Sequence, residues 1–471
     1  MVAPAALTML FVSMVGLEHL PKAYDCLWRS YHGILGAQHA FIVDDRCLHS
    51  SFSILELGTG VRLSHTENLV WASRDPVDPS LDDTPLNVAL GQLERNITAF
   101  RPTAHEHPAA QLHLDVPRNR VRAIHRGQDG LLLSASPHDT AALGAVLPRY
   151  WSLTPVSPFP RRLLPVPAST KQHLRDLLPT IQFDPVTAAV VNGISIPHLP
   201  TTSDISLVKI QHAPLAAAWI KRQIEATGAT CALKHYKENF APNVICEYPA
   251  SAPGTSNALV VLGAHYDSRG SFGSVRAPGA NDDGSGTGAL LTIARAVARR
   301  GVAFRGRVQL CAFAGEEQGL VGSRAYADPV VLTYGAAARS LARRGANVTM
   351  MIQADMVGYH APGEPAQLGL SNPGFEGSPE VVAILERTAA LYSPSSKLGT
   401  CEPDHVSFYE VGFPSSILAE RIGWFNDPAY HDSTDLSSRE GYSFQHIKDI
   451  AKTQLAAALH VAGYDLREDE M

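Results

Sequence analysis

The rhythm of apolar and polar positions changes partway along the chain. From about residue 18 to 152, short strand-like runs such as Ala40 to Val43, Gln111 to Val116 and Gly130 to Ser134 are separated by clusters of Asp, Pro, Gly and Asn. After that, strand-like runs alternate with helical periodicity. Helical spacing marks Lys171 to Leu178 and Pro214 to Thr227, where Leu215, Trp219, Ile220 and Ile224 fall on one face. Strands are expected at Asn243 to Cys246, Ala258 to Ala264, Val308 to Ala314, Val348 to Ala354 and Ser415 to Ala419. Between them, helices are predicted from about Gly288 to Arg300 and from Pro379 to about Tyr392, the latter with Ser378 as N-cap and proline at its first position. A closing helix is expected from Ser443 to Ala462. The pattern predicts an α/β fold, with a mostly parallel central sheet covered by helices on both faces and a β-rich accessory domain before it.

Proline marks the boundary between the two patterns. Pro155, Pro158, Pro160, Pro165 and Pro167 fall in one short stretch that reads as an extended linker. The expected division is a candidate signal segment over 1–17, a β-rich accessory or prosegment-like domain over 18–152, the linker over 153–168 and the α/β domain over 169–471. The linker carries Arg161-Arg162, which reads either as two exposed arginines or as a processing site.

Composition narrows the partners and the compartment. A net charge of −6 gives no nucleic-acid surface. Six cysteines are too few for a disulfide scaffold, and none is spaced as a CxxC metal site. No run reaches the roughly 18 to 20 apolar residues of a membrane span. Ala3 to Leu17 has the length of a signal h-region, without a basic residue before it or a small-x-small cleavage site after it. Asn96-Ile-Thr98 and Asn347-Val-Thr349 are glycosylation sequons in a secreted chain. A secreted or extracellular monomer is the expectation, with no membrane partner. The histidines of the first region (His105, His107, His113, His125 and His138) lack metal-ligand spacing and read as surface residues.

Chemistry concentrates between Ala258 and Glu317. The run from Ala258 ends in His265-Tyr-Asp267-Ser268, a loop follows with Asn281-Asp282-Asp283-Gly-Ser-Gly286, and the run from Val308 ends in Gly315-Glu316-Glu317. Asp355 follows Ala354, and His431 stands in Tyr430-His431-Asp-Ser-Thr-Asp435. Imidazole and carboxylate without thiolate suit zinc or a similar ion in a catalytic site. Two histidines and three carboxylates match two metals sharing a bridging carboxylate, and one further carboxylate is left as a general base. Of the adjacent Glu316 and Glu317, one can ligate while the other faces a water. Asp267 is placed to orient the His265 imidazole, and Asp435 that of His431.

Taken together, these motifs resemble the two-zinc aminopeptidase family of secreted bacterial and fungal leucyl aminopeptidases, whose relatives include glutaminyl cyclases and glutamate carboxypeptidases. The resemblance covers about Pro167 to Tyr464, on Gly263-Ala-His265-Tyr-Asp267-Ser, Pro278-Gly-Ala-Asn-Asp282-Asp283-Gly-Ser-Gly, Ala314-Gly-Glu316-Glu317-Gln-Gly-Leu-Val-Gly-Ser323, Gln353-Ala-Asp355-Met356 and Tyr430-His431-Asp-Ser-Thr-Asp435. It implies a zinc exopeptidase fold and two co-catalytic zinc ions, with Asp282 bridging. His265 and Asp355 would complete one ion's shell, and Glu317 and His431 the other's. It further implies Glu316 as general base, a cis peptide between Asp282 and Asp283, and removal of the N-terminal residue of peptides or proteins. Asn281 stands where the typical family member has another aspartate. The segment Cys401-Glu-Pro-Asp404-His405 has one cysteine where the bacterial type forms a local disulfide. Met356, Ile417 and Tyr430 are candidate pocket residues. Two other readings compete: a single-zinc cyclase, and an inactive metal-binding scaffold of the same fold. A carboxypeptidase-like relative would need a basic cluster, for which Arg421 is the one candidate.

Overall fold

Two four-stranded antiparallel sheets build the first part of the chain. The first contains β1 (Leu7–Ser13), β2 (Tyr31–Leu35), β3 (Gln38–Asp44) and β4 (Gly58–Leu63), in the order β2-β3-β1-β4. The second contains β5 (Leu69–Arg74), β6 (Arg122–Arg126), β7 (Gly130–Ser134) and β8 (Trp151–Pro155), in the order β6-β7-β5-β8. This computed structural model describes residues 7–13, 25–49, 58–63, 68–75, 82–99, 121–156, 166–194, 213–251, 258–271, 277–327, 347–373, 377–401 and 407–467, with short interruptions inside several of these spans. Gln111 to Val116, Arg161-Arg162 and residues 402–406 lie outside them.

Alternation along β1 shows how these sheets pack. Met9 and Phe11 join Trp71 and Leu132 of the second sheet in one core, while Leu10 and Val12 join Leu27, Phe41 and Val43 in another. A period of two sends successive side chains to opposite faces, so both faces of β1 are buried. Leu7–Ser13, within the apolar stretch that has the length of a signal h-region, therefore forms an inner strand here. Helix α1 (Leu86–Ala99) covers the far face of the second sheet through Leu90, Leu93 and Ile97. A disulfide joins Cys26 to Cys47.

The second part is an eight-stranded sheet with helices on both faces. Its elements are α2 (Ala168–Leu177), α3 (Pro185–Asn192), α4 (Ala213–Glu225), β9 (Thr230–Lys234), β10 (Asn243–Tyr248), β11 (Leu259–His265), α5 (Gly284–Arg299), β12 (Val302–Phe304), β13 (Arg307–Phe313), α6 (Val321–Ala327), β14 (Val348–Ala354), β15 (Gln367–Leu370), α7 (Pro379–Tyr392), β16 (Lys397–Thr400), β17 (Ser415–Ala419), α8 (Phe444–Ala462) and β18 (Tyr464–Leu466). The sheet order is β16-β15-β17-β14-β11-β13-β10-β9, with β12 and β18 pairing separately. Pairings are parallel through β17-β14-β11-β13 and between β15 and β16, and antiparallel where β10 meets β9 and β13 and where β15 meets β17.

Continuous apolar runs make sense in such a sheet because both faces are covered. In β11, Val260, Leu262 and Ala264 enter the large core under α5 and α8, while Leu259 and Val261 enter a second core with Phe313, Met351 and Phe408. The chain leaves β11 for β13 on one side and then crosses to β14 on the other. A crevice at the carboxyl ends of these strands follows from that reversal.

Two local expectations need correction. Leu215 does not share the buried face of α4: it is 67% exposed, and Ala217, Ile220 and Ile224 form the inward stripe. Helix α7 starts where expected, but the Ser378 hydroxyl accepts the Ser415 N–H at 3.1 Å instead of capping the helix. Elsewhere the caps follow local rules, with Asp184 accepting the N–H groups of Val186 and Thr187 and Ser443 that of His446.

Candidate metal centre

Each site residue is delivered by an element end. His265 closes β11, Glu316 and Glu317 follow β13, Asp355 follows β14, and Asp282 lies just before α5. His431 comes from the loop between β17 and α8 and adopts a left-handed φ of 51°. Asp283 ties three of these elements together. Its carboxylate accepts the N–H of His265 at 3.1 Å, of Gly286 at 2.8 Å and of Met356 at 3.3 Å. The Asp282-Asp283 peptide bond is cis.

The side chains converge. His265 Nε2 lies 3.1 Å from Asp282 Oδ1 and 3.5 Å from Asp355 Oδ2. His431 Nε2 lies 3.0 Å from Asp282 Oδ2 and 3.0 Å from Glu317 Oε2. The two carboxylate oxygens of Asp282 thus face two different histidines. Two donor groups result, His265 with Asp282 and Asp355, and His431 with Asp282 and Glu317; each has ligand atoms within 4.8 Å of one another and could hold a metal ion. Glu316 points toward the same space, its Oε2 3.8 Å from His265 Nε2. All five residues of the two groups are buried.

Charge in the cluster is lopsided. Burial opposes the charged form of His265, yet the carboxylates of Asp355 and Glu316, with hydrogen bonds to Asp267 and Asp282, hold its pKa well above the imidazole norm. At His431, burial and Arg269 push down, while Glu317 and Asp282 push up and prevail, to about 9. Burial raises Asp282, but the two histidines outweigh it and lower its pKa. Burial is the first cause raising Glu317. Buried carboxylates in excess draw positive charge onto whatever faces them. The donor set and its field both fit divalent cations.

Asp267 does adjoin the His265 imidazole as the spacing suggested, but through its backbone carbonyl, whereas the partner expected for His431 is replaced. His265 Nδ1 lies 2.9 Å from the backbone carbonyl of Asp267 and 3.6 Å from its carboxylate. The Asp267 carboxylate accepts the N–H groups of Glu316 at 3.2 Å and Glu317 at 3.3 Å, so it fixes the turn carrying both glutamates. Asp435 does not serve His431. Its carboxylate accepts the N–H groups of Asn281 and Asp282, at 3.0 and 3.1 Å, and pairs with Arg439 at 3.2 Å. His431 Nδ1 instead meets the carbonyl oxygen of Arg149, from the first part of the chain, at 2.7 Å.

A cleft opens over the cluster, lined by Ser152, Leu153 and Thr154 of β8 and by Arg269, Leu320, Arg324, Met356, Phe425 and Tyr430. Met356 and Tyr430 were expected there. Ile417 packs instead with Cys401 and Ala419. Arg421 pairs with Glu364 at 3.1 Å. Buried Arg269 and Arg324 and the β8 wall gave no signal in the sequence, since their partners lie far along the chain.

This arrangement can be set beside known proteins. Residues 243–457 match peptidase family M28. The matched span includes all five residues of the two candidate groups. Leucine aminopeptidase 1 of Phaeosphaeria nodorum is 29% identical over 54% of this chain and 66% of its own length. Across the first curated relatives, the chain spans 56% to 66% of their length. Among solved structures, the Legionella pneumophila LapA aminopeptidase has a TM-score of 0.50 at 18% identity, covering 76% of this chain and 96% of its own. Legionella pneumophila LapB has a TM-score of 0.51 at 16% identity, covering 84% and 99%. At these identities the structural likeness establishes the fold.

Proposed function

We propose that this chain is a metal-dependent aminopeptidase that removes the N-terminal residue of peptides with two zinc ions. The observation carrying the proposal is Asp282, whose two oxygens face separate histidines, each with its own further carboxylate. His265 and Asp355 would hold one ion and Glu317 and His431 the other, with Asp282 shared. Histidine and carboxylate donors without thiolate favour zinc in a catalytic role. The leucine aminopeptidases among the relatives support the reaction class. Zinc bound there would supply Lewis acidity, polarising the scissile carbonyl and acidifying a water.

The chain's own groups do the rest. Glu316, adjoining the cleft and held by its N–H on Asp267, takes the proton from the attacking water and passes it to the leaving amine. Asp267 acts on the reaction by positioning that turn. Leu153, Leu320, Met356, Phe425 and Tyr430 offer an apolar wall for the side chain of the departing residue. The chemistry belongs to 169–471, and the region 18–152 is accessory to it. Disulfides Cys26–Cys47 and Cys231–Cys246 suit an oxidising, extracellular setting. Among the described residues no helix is long and apolar enough to cross a membrane. Of the two sequons, Asn347 is exposed and the better glycan acceptor, whereas the side-chain nitrogen of Asn96 is buried in α1.

Hydrolysis of an aminoacyl-arylamide panel tests this reading, before and after chelation and with zinc restored. Zinc-dependent cleavage is expected, strongest for apolar residues. Glu316→Gln should lower kcat by about 10²- to 10⁴-fold with metal content unchanged. A zinc-loaded chain that cleaves none of the panel would overturn the proposal.

A further inference from the structure

The two candidate metal-binding histidines are oriented by different parts of the chain. A ligating imidazole usually gives its second nitrogen's hydrogen to an acceptor that fixes tautomer and ring angle. For His265 that acceptor is the Asp267 carbonyl, two residues along the same chain segment. For His431 it is the carbonyl oxygen of Arg149, 282 residues earlier. His431 sits on a loop with left-handed backbone, so no strand end holds its ring.

Everything around the Arg149 carbonyl fastens it in place. The Arg149 guanidinium pairs with Asp432 and donates to the Pro428 carbonyl at 3.0 Å, gripping the residues on either side of His431. Tyr150 stacks on Tyr430 with centroids 6.2 Å apart, and Tyr430 stacks on the His431 ring at 3.6 Å. The Tyr430 hydroxyl donates to Asp75 at 3.3 Å, next to β5. One residue beyond Tyr150, the carbonyl of Trp151 accepts from Arg269, whose Nε lies 3.3 Å from Glu317. At Gly319, φ is 97° and a Cβ would overlap the Leu153 carbonyl, so the loop after the two glutamates lies directly against β8.

We propose that the segment Arg149 to Leu153 of the N-terminal region is a structural part of the metal centre, positioning His431 and, through Arg269, Glu317. Arg149 is a positioning residue: its carbonyl orients the imidazole and its side chain anchors that carbonyl. This inference rests on the two-zinc reading and gives the accessory region a role within it. The region is then not a plug to be discarded, because its departure would strip the His431 imidazole of its acceptor and Arg269 of two backbone carbonyls. The ion held by Asp282, Glu317 and His431 depends on it. The ion held by His265, Asp282 and Asp355 depends on it less.

The test is zinc retention by the full chain under chelator competition, comparing wild type with Arg149→Met and Arg149→Lys. The Arg149 side chain is 35% exposed, so both variants are expected to fold, which circular dichroism and thermal midpoint check. Wild type should give two binding steps. Arg149→Met should weaken one of them by about tenfold, the lower end of what loss of an orienting partner costs, and leave the other within error. Arg149→Lys, which keeps the charge facing Asp432, should recover most of the loss. Two wild-type steps that Arg149→Met leaves unchanged would overturn the positioning role, as would activity rising above wild type with zinc affinity intact. A wild-type chain with no second step would overturn the two-zinc reading itself, and this inference with it.

Discussion

Residue identities at the candidate site were legible wherever a proposed ligand sits at the end of an apolar run. His265, Asp355 and the pair Glu316-Glu317 follow strands whose boundaries the hydropathy pattern gives almost to the residue, so their common destination could be argued. Spacing picked out Asp267 beside His265 but not the atom that orients the ring, nor the partner of His431, because a carboxylate two or four residues from a histidine can equally accept backbone N–H groups. Asp267 and Asp435 both do so. Asn281 shows the same limit. Its side-chain N–H donates to Glu420 at 3.0 Å and Asp427 at 2.8 Å, while its oxygen accepts the Gly358 N–H at 2.8 Å. Burial and Asp427 already push Glu420 well above the carboxylate norm. Asn281→Asp would replace a donor by an acceptor between two carboxylates, at a cost of about 2 kcal/mol. The added carboxylate would have its pKa raised in the folded state, so the loss should be larger at pH 8 than at pH 5. Urea unfolding at the two pH values checks this, and equal stability to wild type at pH 8 would contradict it.

Elements were read best where period and end signals agree. β14, α7 and β17 match their expected bounds, and α8 is capped by Ser443, whose hydroxyl accepts the His446 N–H. Antiparallel β9 and β10 at the sheet edge were less legible, since pairing direction depends on tertiary contacts that short apolar runs do not encode. Within β3, His39 makes a prediction for the first sheet. Burial lowers its pKa to about 4, below the usual 6.5, and its Nδ1 faces the Tyr31 hydroxyl at 3.1 Å. The folded state therefore binds fewer protons than the unfolded chain between those values. Its stabilising share is present above pH 6.5 and is lost as pH falls toward 4. Wild type should show a falling thermal midpoint over that window, and His39→Gln a fall smaller by a few degrees. Identical pH profiles would remove His39 as a cause.

At the scale of the whole molecule, the fold is two assemblies meeting at the candidate metal centre. Composition and hydropathy suggest a change of character near residue 155, but Leu153 to Pro155, expected in the extended linker, close β8 and pair with β5. Neither composition nor hydropathy carried a trace of how β8 approaches the loops after β13 and β17, because the acceptors for His431 and Arg269 there are backbone carbonyls, which any residue has. Asp282 is proposed to be shared by two ions, one on each of its oxygens. Anomalous scattering at the zinc absorption edge from crystals of the zinc-loaded chain addresses it most directly. Two peaks are predicted, one beside His265 and Asp355 and one beside Glu317 and His431, with Asp282 between them. A single peak, or two peaks that leave Asp282 uncoordinated, would rule out a shared Asp282.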